Sequence, residues 1–186
     1  MVIFTDSMKT MVSKSLLLVL FGFILHFTGV AQYKSAVIGV DGLTCSACSF
    51  ATQKSLLELK SVDSVHMELE TNTATVYFRP GQKVNVKDLA KKVVDAGFSV
   101  RSISATLNVN EWNATPNGCW SYENDMYHFM KLDAPKKLNG EIQLTFIGEK
   151  FMPAKEFKKW KMYSKNTCPP NGVQTLYSQD YYVTIQ

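Results

Sequence analysis

Cys45 and Cys48 stand three residues apart in GLTCSACSF, residues 42–50, and they are the side chains of this sequence best suited to chemistry. A thiolate is a soft ligand. Two of them with little else nearby suit a d10 ion that accepts low coordination, Cu(I) or Hg(II), with Ag(I) of the same kind. Zinc asks for four ligands in a tetrahedron. Here Asp41 lies four positions before Cys45 and the adjacent residue is the neutral Thr44, so the composition leans away from zinc. Two other uses of the pair stand beside metal binding. CxxC at a helix start is also the arrangement of thiol–disulfide oxidoreductases, although no aromatic precedes Cys45 and the intervening Ser46-Ala47 is neither rigid nor strongly polar. The third use is an inert structural bridge.

Two further groups of residues carry chemistry. Cys119 and Cys168, 49 positions apart in segments rich in Asn, Pro and Gly, have no neighbouring Cys or His and read as a structural disulfide between two loops. Closing a loop of that size stabilises a fold by about 4 kcal/mol in the entropic account. The stretch MYHFM, residues 126–130, places Met126, His128 and Met130 on one face of a strand, with Tyr127 and Phe129 on the other. Two thioethers and an imidazole on one face make a candidate second site for Cu(I); the alternative is ordinary core, where methionine fills gaps. Trp160 and Met162 share a face as well if their segment is extended.

The elements that must hold these residues can be read from changes of period. Ser35 to Val40 alternates as a strand, and Ser46 to Lys60 has helical spacing with Phe50 or Ala51, Ser55, Leu56 and Leu59 on one face. Val62 to Leu69 and Ala74 to Phe78 make a hairpin about the turn Glu70-Thr71-Asn72-Thr73. Val86 to Ala96 is helical, with Leu89, Val93 and Val94 inward and Gly97 as its stop; Phe98 to Ile103 is a last strand. The order βαββαβ within residues 35–103 is the ferredoxin-like split βαβ arrangement. In this frame Cys48 falls in the first helical turn. Unpaired N–H groups and the positive dipole end there favour a thiolate. Cys45 lies in the loop before it, free to move toward an ion.

Residues 104–186 read as a small β-rich domain, making the whole α+β. Thr106 to Val109, Glu141 to Ile147 and Tyr181 to Ile185 alternate, Asn139-Gly140 and Asn171-Gly172 are turn signals, and a short helix is expected from Pro153 to Trp160. Residues 1–31 read as a secretory signal peptide. Lys9 and Lys14 precede the apolar run Leu16 to Leu25, and Gly29-Val30-Ala31 makes a small-residue cleavage site. Export then places the protein in a periplasmic or extracellular, oxidising compartment where disulfides persist.

The 186 residues carry a formal charge of +4, and no dense basic stripe points to nucleic acid. There is no Gly-rich phosphate loop and no GxSxG, and one of the three histidines, His26, leaves with the leader, so no enzymatic reading is drawn.

Within residues 35–103 the sequence resembles the heavy-metal-associated domain of copper chaperones, metal-transporting ATPase tails and the periplasmic mercuric-ion binding protein. GLTCSAC is similar to that family's metal loop, with Leu43 where a methionine is usual. Leu56, Leu59 and Val62 sit where its helix and second strand begin their core. Ala74-Thr75-Val76 is similar to its third strand, and Asp95-Ala96-Gly97-Phe98 to the end of its second helix. The resemblance implies that Cys45 and Cys48 hold a soft metal ion, Cu(I) first, and that Phe98 packs beneath the loop. It further implies exchange of the ion with a donor or acceptor protein such as a membrane transporter. The rival expectation is an adaptor whose metal domain has become a scaffold.

Overall fold

The computed structural model describes residues 33–116, 118–163 and 178–185. Residues 1–31, which read as a signal peptide, Cys168 and Asn171-Gly172 lie outside them. The first half follows the expected order: β1 (Ser35–Asp41), α1 (Ser46–Leu57), β2 (Val62–Glu68), β3 (Thr73–Phe78), α2 (Val86–Asp95) and β4 (Ser99–Ala114). Its strands lie in the spatial order β2-β3-β1-β4, every neighbour antiparallel, which is the ferredoxin-like sheet.

Both helices bury one stripe against that sheet, but not quite the stripes that hydrophobicity suggests. In α1 the inward residues are Ser49, Thr52 and Leu56, while Phe50 is 66% exposed. The polar residues are tolerated inside because their hydroxyls donate to the carbonyls of the preceding turn, Ser49 to Cys45 at 3.5 Å and Thr52 to Cys48 at 3.2 Å. In α2 the buried set is Val86, Leu89, Ala90 and Val93, and Val94 is turned to solvent, one position off the stripe. The helix ends as its Gly97 implies. Gly97 N–H bonds to Val94 O at 2.9 Å and Phe98 N–H to Val93 O at 3.2 Å, the paired closing bonds of a Schellman cap.

The larger departure is in β4. The spacing suggests a strand ending at Ile103 and a new domain from Ser104, yet β4 runs unbroken to Ala114. It pairs with β1 through Ser99–Thr106 and with β7 (Lys136–Ile147) through Ser104–Ala114. Asn139-Gly140, which reads as a turn, is instead interior to β7. It faces a bulge between Val109 and Trp112, where β4 carries one extra residue and Glu111 adopts φ +45. β8 (Gln179–Ile185) pairs antiparallel with β7 and parallel with β6 (Asp125–Phe129), and β6 forms a hairpin with β5 (Cys119–Tyr122). That hairpin turns on Glu123 and Asn124, both at positive φ as a tight two-residue connection requires. One eight-stranded sheet results, β2-β3-β1-β4-β7-β8-β6-β5, and residues 31–186 make one compact unit.

The core spreads along one face of this sheet, from Leu56, Leu89 and Ile38 to Tyr33, Tyr127, Phe146 and Tyr181 at the far end. Trp112, Trp120 and Tyr122 stack in series at its rim, with ring centroids 4.2 and 4.6 Å apart. On the opposite face α3 (Ala154–Trp160) lies over Met130, Ile147 and Met152. The Trp160–Met162 segment is helical there, not extended.

Polar groups fasten the far end of the sheet to α2. The Tyr181 hydroxyl donates to Asn85 Oδ1 at 3.1 Å and accepts from Val86 N–H at 3.2 Å, while Asn85, the N-cap of α2, also accepts from Lys87 N–H at 3.0 Å. Burial holds the Tyr181 hydroxyl far above the usual tyrosine range, so it stays a donor. Asp125, fully buried, lies 3.2 Å from Lys83. With ladder and cap shared, residues 33–185 are expected to unfold in one cooperative transition. Tyr181→Phe is expected to lower stability by about 1–2 kcal/mol by unpairing Val86 N–H and removing one of the two hydrogen bonds to Asn85 Oδ1. Urea unfolding followed both by far-UV circular dichroism and by tryptophan fluorescence checks this; two separated transitions would contradict it.

Candidate metal centre

The loop between β1 and α1 is held from three sides before either cysteine is reached. Arg101 on β4 donates to Asp41 Oδ1 at 3.1 Å and to the carbonyl of Thr71 at 2.7 Å, tying the end of β1 to the β2–β3 turn. Val40 N–H bonds to Asn72 O at 2.9 Å in the same place. Gly42 then turns the chain at φ +96, a conformation that side-chain-bearing residues adopt at a cost. A Cβ there would touch the Phe98 ring at 3.5 Å, so the aromatic lies against the loop as the resemblance implies. Leu43 is buried and anchors the loop to the core.

Cys45 is the N-cap of α1, extended at φ −154 and ψ 162, and its Sγ accepts from Cys48 N–H at 3.4 Å. A thiol thus stands where an oxygen usually satisfies one of the free N–H groups in the first turn of a helix. Cys48 is half-buried in the first turn and packs on the core; Cys45 is exposed. Both are free thiols with Sγ atoms 2.7 Å apart. The Cys48 thiol is drawn below its ordinary value, chiefly by its hydrogen bond with Cys45; burial opposes this, and Thr44 and the Cys45 backbone add lesser lowering. The direction is that expected at a helix start, but the leading cause is the partner thiol.

This geometry can present two sulfurs to one point in solvent. A metal–thiolate bond is about 2.3 Å, so an ion entering between sulfurs this close must spread them. Cys45, outside the helix and exposed, is the one placed to swing. Asp41 is engaged by Arg101 and is not aimed at the pair. Among the described residues no three His, Cys, Asp or Glu side chains gather at one point, which leaves a two-thiolate arrangement.

The other candidate residues lie far along the sheet. Met126, His128 and Met130 alternate along β6 and its continuation, but all three are buried, as are Tyr127 and Phe129 between them. Cys119 on β5 is half-buried and its sulfur is not a free thiol; Cys168 lies outside the described residues. Tyr33, Arg101 and Asn85 have structural roles that periodicity alone does not disclose, because each acts through a contact more than 25 residues away in sequence.

Comparison with known proteins agrees with this architecture. A family model, the heavy-metal-associated domain, matches residues 37–99. The copper chaperone CopZ of Bacillus subtilis is 39% identical over 61 residues, covering 33% of this chain and 87% of that protein. A mercuric transport protein periplasmic component of Pseudomonas aeruginosa is 35% identical over 68 residues, covering 37% of this chain and 74% of that protein. A copper-exporting P-type ATPase of Staphylococcus saprophyticus is 30% identical over 80 residues, and this chain spans only 10% of its length. Through residues 37–99 the chain belongs to the heavy-metal-associated domain family, whose members bind and traffic metal ions.

Proposed function

We propose that this protein binds a soft d10 cation, Cu(I) in first place, between Cys45 and Cys48, and exchanges it with a donor or acceptor protein. The observation that carries this reading is the convergence of two free sulfurs at the N-terminus of α1, one acidified by the other, with no His, Cys, Asp or Glu among the described residues gathering there as a third ligand. Relatives named as a copper chaperone and as a mercuric transport protein support the same class of ion.

The transfer chemistry follows from the sites of the two thiols. Binding replaces the thiol protons, so uptake releases protons to solvent. A thiolate of the partner then attacks the two-coordinate ion, giving a three-coordinate intermediate. The exposed Cys45 leaves first and regains a proton, and Cys48 follows as the second partner thiolate closes. A partner that carries such a thiolate pair, a membrane transporter among them, fits this exchange. Residues 1–31 support export, and in an oxidising compartment loading must precede closure of the pair into a disulfide. A bridge between Cys119 and Cys168 suits the same compartment.

Three outcomes are expected. In competition with a chromophoric Cu(I) chelator, the reduced chain takes one ion tightly and the Cys45→Ser/Cys48→Ser variant loses that site; retention of tight binding by the variant would overturn the assignment. Because the Cys48 thiol is lowered, its alkylation rises with pH around a midpoint below the ordinary thiol value of about 8.5. Cys45→Ala moves that midpoint upward, as peptide mass spectrometry of the alkylated chain would record; no movement would remove the partner thiol as the cause. Finally, alkylation without reductant leaves Cys119 and Cys168 unmodified, and modification of both would refute the bridge.

A further inference from the structure

His128 presents a problem that the cysteine pair does not solve. It is 3% exposed in the middle of β6, and its two ring nitrogens have unlike surroundings. Nε2 is hydrogen-bonded to the Asp180 carboxylate. Among the described residues Nδ1 is buried with no hydrogen-bond partner. Since a carboxylate only accepts, Nε2 carries the hydrogen, and Nδ1 is left with a bare lone pair. A buried acceptor without a partner is destabilising and calls for an explanation. Imidazoles that ligate metals show this same division: one nitrogen donates to a carboxylate, which fixes the ring and raises its basicity, and the other faces the ion.

The neighbours of His128 are soft. Tyr127 and Phe129 belong to the main core on one face of the sheet, so Met126, His128 and Met130 share the other. Met126 and Met130 are 5% and 2% exposed. The Tyr182 ring stacks on His128 with centroids 4.8 Å apart and packs in turn against the cluster of Met130, Ile147 and Met152. Met130 and Tyr182 also line an open cavity of about 440 Å³ with Phe157, Trp160 and Lys161, which gives a path from solvent to the Met130 thioether. Thioether and imidazole together select Cu(I) or Ag(I) over hard cations. The Asp180 carboxylate, acting through the ring, offsets the charge such an ion brings.

We infer that His128 Nδ1, with the thioethers of Met130 and Met126, forms a second soft-metal site, distinct from the cysteine pair and oriented by Asp180. The site needs no thiol, so it can hold a monovalent ion where Cys45 and Cys48 are oxidised.

The test uses the full chain with Cys45→Ser and Cys48→Ser, so that success or failure of the cysteine site does not enter. Silver(I) nitrate is the probe, titrated by isothermal calorimetry and by the ¹⁵N resonances of His128. The expected result is one Ag(I) per chain, with the Nδ1 resonance shifted and Nε2–H retained. Met126→Leu/Met130→Leu keeps core volume and is expected to weaken binding by more than about tenfold. Asp180→Asn, at an exposed side chain, is expected to weaken it by about tenfold through the ring. No Ag(I) uptake by the cysteine-free chain, or undiminished uptake by the double methionine variant, would overturn the site.

Discussion

Strand β4 carries two ladders at once, and the rest of the molecule is arranged around that fact. Along Ser99–Thr106 it closes the ferredoxin-like sheet against β1, and along Ser104–Ala114 it opens the second half against β7. An isolated domain of the first type would end in a free sheet edge on β4, with unpaired N–H and C=O groups exposed. Here that edge is covered by four more strands, and the core continues beneath them without a break. The metal-binding family occupies residues 37–99, but its sheet is built into a wider one.

This arrangement divides rigidity from freedom in a way that serves the cysteine loop. Arg101, part of the shared strand, clamps Asp41 and Thr71, and Phe98, just before β4, lies against Gly42. The base of the loop is therefore fixed. Cys48 is held by the first turn of α1 and by the core, whereas the Cys45 side chain is tethered to Cys48, through its N–H and its sulfur, and faces solvent. The proposed uptake and release of an ion calls for this division, with one sulfur held in the helix and one exposed in the loop before it. The far end of the sheet takes no part in that loop but caps α2 through Tyr181 and Asn85, so its contribution is to the platform.

Much of the first half was legible in the sequence because its elements differ in period and are separated by turn residues. Apart from the far end of β4, the strands and helices of residues 35–103 fall within a few positions of their expected bounds, and Gly97 ends α2 as its type implies. The helix phases were less legible. Phe50 and Val94 look like core and are exposed, since hydroxyl groups bonded to the backbone fill the inward face of α1 and Ala90 completes that of α2. The second half hid more. Its strand β6 is buried at every position, which erases alternation, and β8 pairs in parallel with this strand some fifty residues earlier. Asn139-Gly140, which faces the bulge of β4, imitates a turn, and nothing local marks Ser104 as the middle of a strand rather than its end. The cysteine pair itself was plain from spacing; that one thiol caps the helix and acidifies the other needed coordinates.

The central claim is that the first soft ion taken up is held by sulfur from Cys45 and Cys48. Copper K-edge X-ray absorption on the reduced chain loaded with one equivalent of Cu(I) tests it most directly. A first shell made of sulfur alone, with two-coordinate edge structure that disappears in Cys45→Ser/Cys48→Ser, is the result this account predicts. A shell that includes nitrogen or oxygen at one equivalent, unchanged by the loss of both cysteines, would contradict it.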